Sequence, residues 1–413
     1  MVGLAVGLIA SFHQDDWTFA ALRPSSVFYV TVAAMFTWTL WTAMHPRTYA
    51  HLPMAPGRVV VIVPTYNEDR AMLHWCLQSL VTQSREPDAI VVVDDGSVRP
   101  IRRFAHPLIS YKRQTNQGKR AAQVNGLRGY EDYDFVVTVD SDSILERFAI
   151  EHLLRVMSDP SVQAVTGNML VANWRANLLT RLVDLEIVGG NFMSRSMRSR
   201  AGAVAPTSGP LAMYRRSVFF DNTEDYLASG TFSDDRRLTH YALRLGRVVV
   251  CEEAFTYMHM PETLRTTWRQ RLRWFKGQML YLGWEIRNLN GAALYLRVWG
   301  TVLMALLPIM LVWVMIVLPA AYGIVIIKGW VYWLGLLWLG NVPYVLRRPS
   351  MRLSSRLAHW LFLTPLLIPF QWLLIRPVMY LAVIKRREGG WLTRGAESGA
   401  RGATEGAAIS DAA

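Results

Sequence analysis

The hydrophobic pattern of this chain separates two apolar outer regions from a middle region of mixed, charged composition. The outer regions reach to about Met44 and run again between Leu294 and Ile384. A helix needs about 20 apolar residues to cross a hydrocarbon core. The pattern therefore predicts a water-exposed domain held between membrane segments. The segments that come nearest to spanning length are Ser26–Met44, Trp299–Leu318, Trp330–Val345 and the proline-broken Leu357–Ile384.

Basic residues beside these apolar segments indicate which side faces the cytoplasm. Arg47 follows the first segment, and arginines cluster again at residues 347–356 and at 386–387. Because Lys and Arg are enriched in cytoplasmic loops, we expect a plasma-membrane protein whose middle domain is cytoplasmic, with the number of crossings left open. The expected divisions are residues 1–50 for the N-terminal membrane segment or segments, 57–265 for the cytosolic domain, 266–292 for an amphipathic interface helix, 293–386 for the C-terminal membrane region and 387–413 for a short gating-like motif with a disordered tail.

The first half of the middle region alternates strand-like and helix-like segments. Short runs rich in valine and isoleucine read as buried strands that end in polar residues. The order strand, helix, strand, loop with helix, strand predicts parallel pairing with right-handed crossovers, and hence a nucleotide-binding half-domain. The segments are a strand opening at Val59, a helix over Ala71–Gln83, a strand over Ala89–Ser97, a basic loop and helix over Lys112–Gly126, and a strand over Val136–Asp142.

The second half of the middle region is less regular. Val162–Asn173 is interpreted as a pair of strands and Leu178–Met197 as an amphipathic helix. Arg247–Cys251 is predicted to form a short strand. Trp268–Trp284 interleaves aromatic residues with cations, which is typical of a helix lying on a membrane surface.

Two aspartates with one residue between them follow the Val136 strand, in the sequence VVTVDSDS. In extended geometry side chains two residues apart point the same way, so Asp140 and Asp142 are expected to converge on one cation. Carboxylate oxygens suit Mg²⁺ or Mn²⁺, and such an ion can bridge a diphosphate. The alternative is a polar turn that caps a helix starting near Ile144.

Other polar groups are expected at the same edge of the sheet. Asp94 and Asp95 end one strand, and Tyr66 and Glu68 follow its neighbour. Tyr66 can stack on a base, and a carboxylate can accept hydrogen bonds from a base or ribose. Lys119, with its neighbour Arg120, is expected to meet phosphate oxygens. The alternatives are that Asp94 caps a helix and that Lys119 is a solvated loop charge.

Two further constellations lie nearer the C-terminal end of the domain. Asp234 and Asp235 precede two arginines, and an ionised carboxylate there can remove a proton from an attacking hydroxyl. The alternative is a helix cap, since acids favour a helix N-terminus. Gln270, Arg273 and Trp274 fall on one helical face, which suits a diphosphate and a sugar ring. A membrane-surface helix carries Arg and Trp as well.

Charge and cysteine content narrow the class of protein. The formal net charge is +13, yet the middle region has no basic stripe with interleaved aromatics, so no nucleic-acid partner is expected. Arginines beside membrane segments and anionic lipid headgroups account for the sign instead. The two cysteines, Cys76 and Cys251, make a disulfide framework improbable and fit a reducing compartment.

Several motifs in this order resemble those of the membrane-bound processive family 2 glycosyltransferases, which include cellulose, chitin and hyaluronan synthases. They are VIVPTYNED, VVVDDGS, VDSDS, SDDRRLT and QRLRW, and they cover roughly Val59 to Trp274. NQGKRAAQ, SGPLAMYRR and the terminal GWLTRG look most like hyaluronan synthases. Two positions depart from that pattern, because Ser233 stands where the family has glycine in GDDR and Leu392 where it has glycine in WGTR.

The resemblance implies a GT-A, Rossmann-like α/β domain inserted between transmembrane helices and performing inverting transfer from UDP-sugars. By motif, Asp95, with Tyr66 and Glu68, would hold uridine, and Asp94 is expected beside it as a substrate-binding residue. Asp140 and Asp142 would hold a diphosphate through Mn²⁺ or Mg²⁺. Asp235, beside Asp234, would be the general base. The other substrate-binding residues implied are Lys119, Ser208, Gly209, Gln270, Arg273 and Trp274, with Trp391, Thr393 and Arg394 as a gate.

The expected partners are UDP-sugar donors, the growing polysaccharide and the lipid bilayer, and no oligomer is required. A hyaluronan-type polymerase is the leading interpretation. The alternatives are a chitin-like or other single-sugar polymer synthase, transfer of one sugar to a lipid carrier, and a non-catalytic membrane scaffold or transporter. The intact acids at Asp140, Asp142 and Asp235 argue against the last.

Overall fold

An eight-stranded mixed sheet forms the centre of the middle domain, and its strand order is β3-β2-β1-β4-β7-β6-β8-β5. The computed structural model describes residues 24–229, 233–323 and 327–386. The strands are β1 (Val59–Thr65), β2 (Ala89–Asp94), β3 (Ile109–Arg113), β4 (Phe135–Thr138), β5 (Ser143–Leu145), β6 (Val162–Val171), β7 (Ala212–Arg215) and β8 (Arg247–Met258).

The first four strands pair in parallel, as the alternation of strands and helices predicts. β1 lies between β2 and β4, and β3 extends the sheet beyond β2. Every residue of β1, β2 and β4 is buried, which explains their continuous apolar runs. The strand β3 is an addition to the prediction, because its sequence ISYKR lacks an apolar run and its residues are only partly buried.

Helices cover both faces of this parallel half. The helices α1 (Pro24–Met44), α2 (Arg70–Val81), α3 (Lys119–Leu127), α4 (Ala149–Val156) and α5 (Leu178–Arg200) come first in the chain. Val61 and Val63 point into a core shared with α2 and α4. On the opposite face Val60 and Ile62 pack against α3. Asp69 starts α2 by accepting hydrogen bonds from two backbone N–H groups of its first turn.

The second half of the sheet differs from its prediction in three ways. Val162–Asn173 forms one ten-residue strand, β6, and not a strand pair. The strand β8 runs to Met258, well past the predicted end at Cys251. The strand β7 enters antiparallel between β4 and β6, so the sheet is mixed. The amphipathic helix predicted at Leu178 is confirmed as α5, which continues to Arg200.

The segment after β4 also corrects the sequence interpretation. The strand ends at Thr138, so Asp140 and Asp142 lie in a turn beyond it and not in the extended strand. The helix considered near Ile144 does not form there, because Ser143–Leu145 pairs with β8 as an antiparallel strand. The turn itself therefore aims the two carboxylates.

Helices fill the remainder of the described chain. They are α6 (Arg216–Phe220), α7 (Thr223–Ala228), α8 (Asp234–Leu245), α9 (Leu264–Leu280), α10 (Leu282–Asn288), α11 (Gly291–Val312), α12 (Leu318–Tyr322), α13 (Ile327–Gly340), α14 (Val342–Arg347), α15 (Leu353–Ala358), α16 (Leu367–Phe370) and α17 (Arg376–Ile384), with π-helical turns at Trp313–Val317, His359–Leu363 and Gln371–Ile375. The predicted interface helix is thus two helices, α9 and α10.

Within the described ranges, one helical stretch is long and apolar enough to cross a membrane, and it is Leu367–Ile384. Val32–Met44 and Gly291–Leu306 are apolar but shorter. The several spans expected from the sequence therefore stay a prediction. Residues 1–23 and the WLTR motif at 391–394 lie outside the described residues.

Candidate active site

A cavity of about 1100 Å³ opens at the carboxyl ends of the parallel strands. Open α/β sheets bind ligands at this edge, where the loops after neighbouring strands meet. The structure brings most of the predicted site residues together here. Those that line the cavity are Tyr66, Glu68, Asp95, Lys119, Asp140, Asp142, Ser208, Gly209, Asp234, Asp235, Gln270, Arg273 and Trp274.

Asp95 organises the loop that leads into α3. Its carboxylate accepts hydrogen bonds from the backbone N–H groups of Gln117 and Gly118, both at 2.9 Å, and from the Gln114 side chain at 2.7 Å. Gly118 has a φ of 90°, a left-handed conformation that glycine adopts without strain. The Asp95 side chain thus holds the entry to α3 against the end of β2.

Asp94 is placed differently from its neighbour. It is buried, does not line the cavity, and accepts a hydrogen bond of 2.9 Å from the backbone N–H of Ser97. Arg113 lies 3.6 Å from the other carboxylate oxygen. Its contacts therefore fix the turn after β2, and no helix begins there for it to cap.

Glu68 is tied to the turn that carries the two aspartates. The Ser141 hydroxyl, between Asp140 and Asp142, donates a hydrogen bond of 2.6 Å to Glu68 Oε2. This bond joins the loop after β1 to the loop after β4. Tyr66, two residues before Glu68, lines the same wall of the cavity.

Lys119 is the electrostatic centre of the cavity. Its ammonium lies 2.6 Å from Asp140 Oδ1 and 2.7 Å from Asp234 Oδ2, and only 18% of its side chain is exposed. Burial opposes the charged form, but the two carboxylates outweigh it and raise the pKa of Lys119. The alternative of a solvated loop charge is therefore wrong. The lysine joins the turn after β4 to the start of α8.

Arg120, the next residue, points away from the cavity. Its guanidinium is buried and donates to the backbone oxygens of Tyr226 and Ser233 and to the Tyr281 hydroxyl. The sequence placed Arg120 with Lys119 as a phosphate ligand, but the two side chains leave α3 in different directions. Arg120 holds the backbone before α8 in place.

The backbone of Ser208 and Gly209 closes the cavity over Asp140. The Ser208 N–H donates to the Thr166 hydroxyl at 2.7 Å. A Cβ built on Gly209 would come within 3.1 Å of Asp140 Oδ2. Glycine at this position lets the chain pass close to the carboxylate, and a larger residue would press on it.

Asp140 and Asp142 suit a divalent cation whose remaining ligands come from a bound diphosphate and water. No cluster of three or more His, Cys, Asp or Glu side chains suited to a metal occurs among the residues the structure describes. Mg²⁺ in nucleotide enzymes is held by one or two carboxylates and completed by phosphate oxygens and water. Asp140 already contacts one cation, the Lys119 ammonium, and Asp142 lines the same cavity. The residues therefore suit a metal that arrives with a diphosphate.

Asp234 and Asp235 have opposite electrostatic surroundings. Burial opposes ionisation of Asp234, but Lys119 outweighs it and lowers the pKa of this carboxyl. Burial, together with the charge of Asp234, raises the pKa of Asp235 to about 6. Asp235 Oδ1 accepts a 2.8 Å hydrogen bond from the backbone N–H of Arg236. Two adjacent carboxyls with pKa values pushed apart are typical of acid–base sites.

The helix α9 presents Gln270, Arg273 and Trp274 to the cavity, as their spacing predicts. Beside them, the Arg271 guanidinium lies 4.8 Å from the centre of the Trp274 ring and pairs with Glu186 of α5. Arg271 is buried, so this stacking fixes the indole plane from behind.

A second cavity of about 690 Å³ adjoins the first. It lies among α1, α5 and α11, and the side chains that line both cavities are Met169, Arg195, Arg271 and Trp274. Trp274 therefore stands at the junction between the sheet edge and the helices.

Arg195 is a cavity residue that the sequence did not single out. It lies on α5, donates to the Gly167 carbonyl at 3.1 Å, and its burial lowers its pKa to about 10. A signal was present, because Arg195 lies in the helix predicted over Leu178–Met197 and Arg198 follows one residue beyond its predicted end. At a spacing of three residues the two arginines share one face of α5.

Ser233 and Gly277 form an unusually close contact between α8 and α9. Ser233 is left-handed, with φ 53° and ψ 59°, at the residue before the two aspartates. A Cβ built on Gly277 would lie 1.7 Å from Ser233 Oγ and 2.9 Å from its Cβ. The serine at this position is one of the departures from the family pattern, and it requires glycine on the facing helix.

The fold and the grouped acids define a GT-A-like sugar-nucleotide transferase domain. A family model described as "Glycosyltransferase like family 2" matches residues 56–277, and the chain belongs to this family. It is 34% identical to a hyaluronan synthase of Streptococcus pyogenes over 238 residues, which are 53% of this chain and 56% of the relative. It is 36% identical to an N-acetylglucosaminyltransferase of Azorhizobium caulinodans over 239 residues, 54% of this chain and 60% of that one. The matched region thus spans little more than half of these curated relatives.

A solved structure supports the fold assignment. A mannosyltransferase from Pyrobaculum calidifontis, in complex with GDP-Man and Mn²⁺, superposes with a TM-score of 0.50 at 19% identity, covering 86% of this chain and 96% of that one. At this identity the likeness concerns the fold alone.

The raised pKa of Asp235 predicts how sugar transfer depends on pH. The sequence predicts Asp235 as the general base. On that hypothesis the carboxyl must be deprotonated to act, so the rate should fall as pH decreases through about 6. Asp235→Asn should keep donor binding and lose turnover by a factor of about 10² or more. UDP release measured against pH, with donor binding by calorimetry, checks both expectations.

Asp234→Asn is the matched control for this experiment. It removes the negative charge that raises the pKa of Asp235, so the acidic limb should move to lower pH. Equal loss of binding and turnover in Asp235→Asn would show that this residue is structural.

The contact between Ser233 and Gly277 predicts a strong coupling between the two positions. Gly277→Ala should destabilise the protein, because its new methyl group overlaps the serine hydroxyl. The same substitution in a Ser233→Gly background should be tolerated. Thermal unfolding of both single variants and the double variant should give a coupling free energy of about 1–2 kcal/mol. Additive effects would mean that the two side chains do not meet.

Proposed function

We propose that this chain is an inverting, processive glycosyltransferase that joins sugars from UDP-GlcNAc and UDP-GlcA into hyaluronan and exports the polymer through its own helices. The observation that carries the proposal is the position of Trp274, between the acid-lined cavity at the sheet edge and the cavity among the helices. Because the two cavities share lining residues, we assign the second cavity as the exit path of the product.

The donor is held at the ends of the parallel strands. Tyr66 offers a face for the uracil ring, and Glu68 and Asp95 offer carboxylates for base or ribose hydroxyls. Asp140 and Asp142 would hold Mn²⁺ or Mg²⁺, which neutralises diphosphate charge and so assists its departure. Lys119 and Arg273, which both line the cavity, add fixed positive charge for the diphosphate.

Transfer itself needs one proton acceptor. The Asp235 carboxylate takes the proton of the acceptor hydroxyl, whose oxygen bonds to the anomeric carbon of the donor sugar. The bond from that carbon to the diphosphate oxygen breaks on the opposite face, so the configuration inverts and UDP leaves. Asp234 stays ionised beside Lys119 and keeps the proton affinity of Asp235 high.

The acceptor is held on the Trp274 ring. Arg271 stacks on the indole, and we assign the part of the ring that lines the cavity to the sugar. Ser208 and Gly209 line the cavity near Asp140. Trp391, Thr393 and Arg394 would complete the site as a gate.

Helices at both ends of the described chain present apolar surface that suits a bilayer. Leu373 and Ile384 are 77% and 79% exposed, and Trp38 and Trp313 are half exposed. Such large exposed apolar side chains mark membrane or protein contact. With the basic loop near Arg352, they support a plasma-membrane location with the transferase domain in the cytoplasm.

A single-sugar polymer synthase is the second candidate function. N-acetylglucosaminyltransferase relatives match this chain about as well as the hyaluronan synthases do, at 36% and 34% identity. Such an enzyme would use UDP-GlcNAc alone and the same residues.

Divalent metal should be required. Asp142→Asn should raise the metal concentration needed for half-maximal UDP release, because one of two carboxylate ligands loses its charge. Excess EDTA should abolish release, and Mn²⁺ or Mg²⁺ should restore it. Full activity in EDTA would remove the metal from the proposal.

Donor dependence tests the product. Purified protein in lipid nanodiscs should form high-mass polymer only with both UDP-GlcNAc and UDP-GlcA, and hyaluronidase should digest it. Polymer from UDP-GlcNAc alone would move the assignment to the second candidate.

Trp274→Ala tests the acceptor site in the same assay. It removes the stacking surface for the acceptor and leaves the uridine side unchanged, so polymer formation should fall more than donor hydrolysis. Equal loss of both would place Trp274 outside the acceptor site.

A further inference from the structure

A buried carboxylate, Glu285 on α10, lies at the centre of a charge cluster behind the candidate active site. Its side chain is fully buried. Glu285 Oε1 accepts from Arg236 at 2.8 Å and lies 2.9 Å from His240 Nε2, while Oε2 accepts from Arg297. The residue does not line the cavity, and no motif in the sequence marks it.

The cluster joins the helix that carries Asp235 to a helix of the C-terminal region. Arg236 and His240 are one turn apart on α8, and Arg297 belongs to α11. His240 also stacks on Trp284 with ring centres 4.5 Å apart. Arg297 donates to the Gln278 carbonyl at 3.0 Å, which ties the end of α9 to the same cluster.

Arg236 is the direct link to the proposed base. Its backbone N–H donates to Asp235 Oδ1 at 2.8 Å, while its guanidinium is directed to Glu285. The two ends of one residue therefore hold two carboxylates. Without Glu285 the guanidinium would lose its buried counter-charge, and the nearest carboxylate along the chain is Asp235.

The surrounding charges make Glu285 hard to replace. Arg236 and Arg297 are both cationic, and Arg198 feels the charges of this cluster. Burial lowers the pKa of His240, which favours its neutral form. Glu285 is thus the carboxylate that balances two guanidinium groups in a region closed to water.

We propose that Glu285 is a positioning residue for sugar transfer: it holds the Arg236 guanidinium away from Asp235, so that the Asp235 carboxylate stays available to accept a proton. The inference rests on the proposed function, because it assumes that Asp235 is the base. It adds a residue to the reaction from outside the cavity and gives α11 an electrostatic link to the site.

Several charged and titratable groups surround Asp235 and influence its pKa, so the experiment must leave them unchanged. Asp234 and Arg236 are its neighbours on α8, Lys119 comes from α3, and Arg195 comes from α5. Tyr214 of β7 and Tyr226 of α7 also feel its charge. Changing Glu285 leaves the identity of all six groups intact.

UDP release by the full-length protein in nanodiscs, measured from pH 5 to 8 with saturating donors, tests the proposal. In Glu285→Gln the freed guanidinium should stabilise ionised Asp235 and move the acidic limb down by about 1 pH unit, since an opposite charge nearby lowers a carboxyl pKa by about that much or more. The maximal rate should fall about tenfold or more, because a paired carboxylate is a poorer base. KM for the donors should hardly change.

Two further variants keep the test decisive if Glu285→Gln does not fold. Glu285→Asp keeps the charge and should retain the wild-type limb. Arg297→Gln removes a cation beside Glu285 and should move the limb in the opposite direction, to higher pH. Shifts of the same sign in Arg297→Gln and Glu285→Gln, or no shift in either variant that folds, would overturn the proposal.

Glu252→Gln is the matched control. Glu252 is also a buried carboxylate paired with an arginine near the C-terminal helices, Arg347, but this pair includes no residue of α8. It should lower thermal stability and leave the pH profile unchanged. Absence of transfer by the wild-type protein would contradict the proposed function, whereas active wild-type with identical Glu285→Gln and Glu252→Gln profiles would contradict this inference alone.

Discussion

The ion pairs of Lys119 hold the candidate active site together. One ammonium meets Asp140 from the turn after β4 and Asp234 from the start of α8, which are 94 residues apart in the chain. All three side chains are mostly buried, and removing one partner from a buried ion pair costs about 3–5 kcal/mol because a charge is left uncompensated. These ion pairs therefore fix the turn after β4 relative to the start of α8, where donor and acceptor are proposed to meet. Asp95 and Arg120 extend this arrangement, since one shapes the loop before α3 and the other holds the backbone before α8.

The parallel half of the domain could be predicted from sequence because its signals are local. Strands buried on both faces must be apolar throughout, and parallel strands place their polar ends at one edge of the sheet. The sequence therefore groups Tyr66, Asp95 and Asp140 at one edge of the sheet, and in the structure all three line the same cavity. Local reasoning failed where the partner strand decides the structure. The strand β3 has no apolar run, and β6 extends to ten residues because β7 and β8 pair along its two sides.

The directions of side chains and the pairing of distant residues could not be predicted, because both depend on how the helices pack. Lys119 and Arg120 look equivalent in GKR, yet adjacent residues on a helix project about 100° apart, so one enters the cavity and the other the core. The sequence shows that Arg195 shares a helical face with Arg198, but only the packing of α5 places its side chain in the cavity. In the same way, only the packing of α10 against α8 and α11 pairs Glu285 with its arginines. A buried charge carries no local signature, because its partners lie on other elements: those of Glu285 are Arg236 and His240 on α8 and Arg297 on α11.

The packing of α3 on the sheet limits how the cavity residues can be transferred to another protein. Gly126, near the end of that helix, faces β1 and β2 so closely that a Cβ there would lie 2.1 Å from Ile62 Cδ1 and 2.7 Å from Val93 Cγ2. The helix rises 1.5 Å per residue, so Lys119 at its other end is about 10 Å away. The close packing of Gly126 against β1 and β2 therefore fixes the distance between α3 and the sheet. That distance also sets the position of the Lys119 ammonium relative to Asp140 and Asp234. A graft of the charged cavity residues onto another sheet would therefore misplace the lysine unless it also included this glycine.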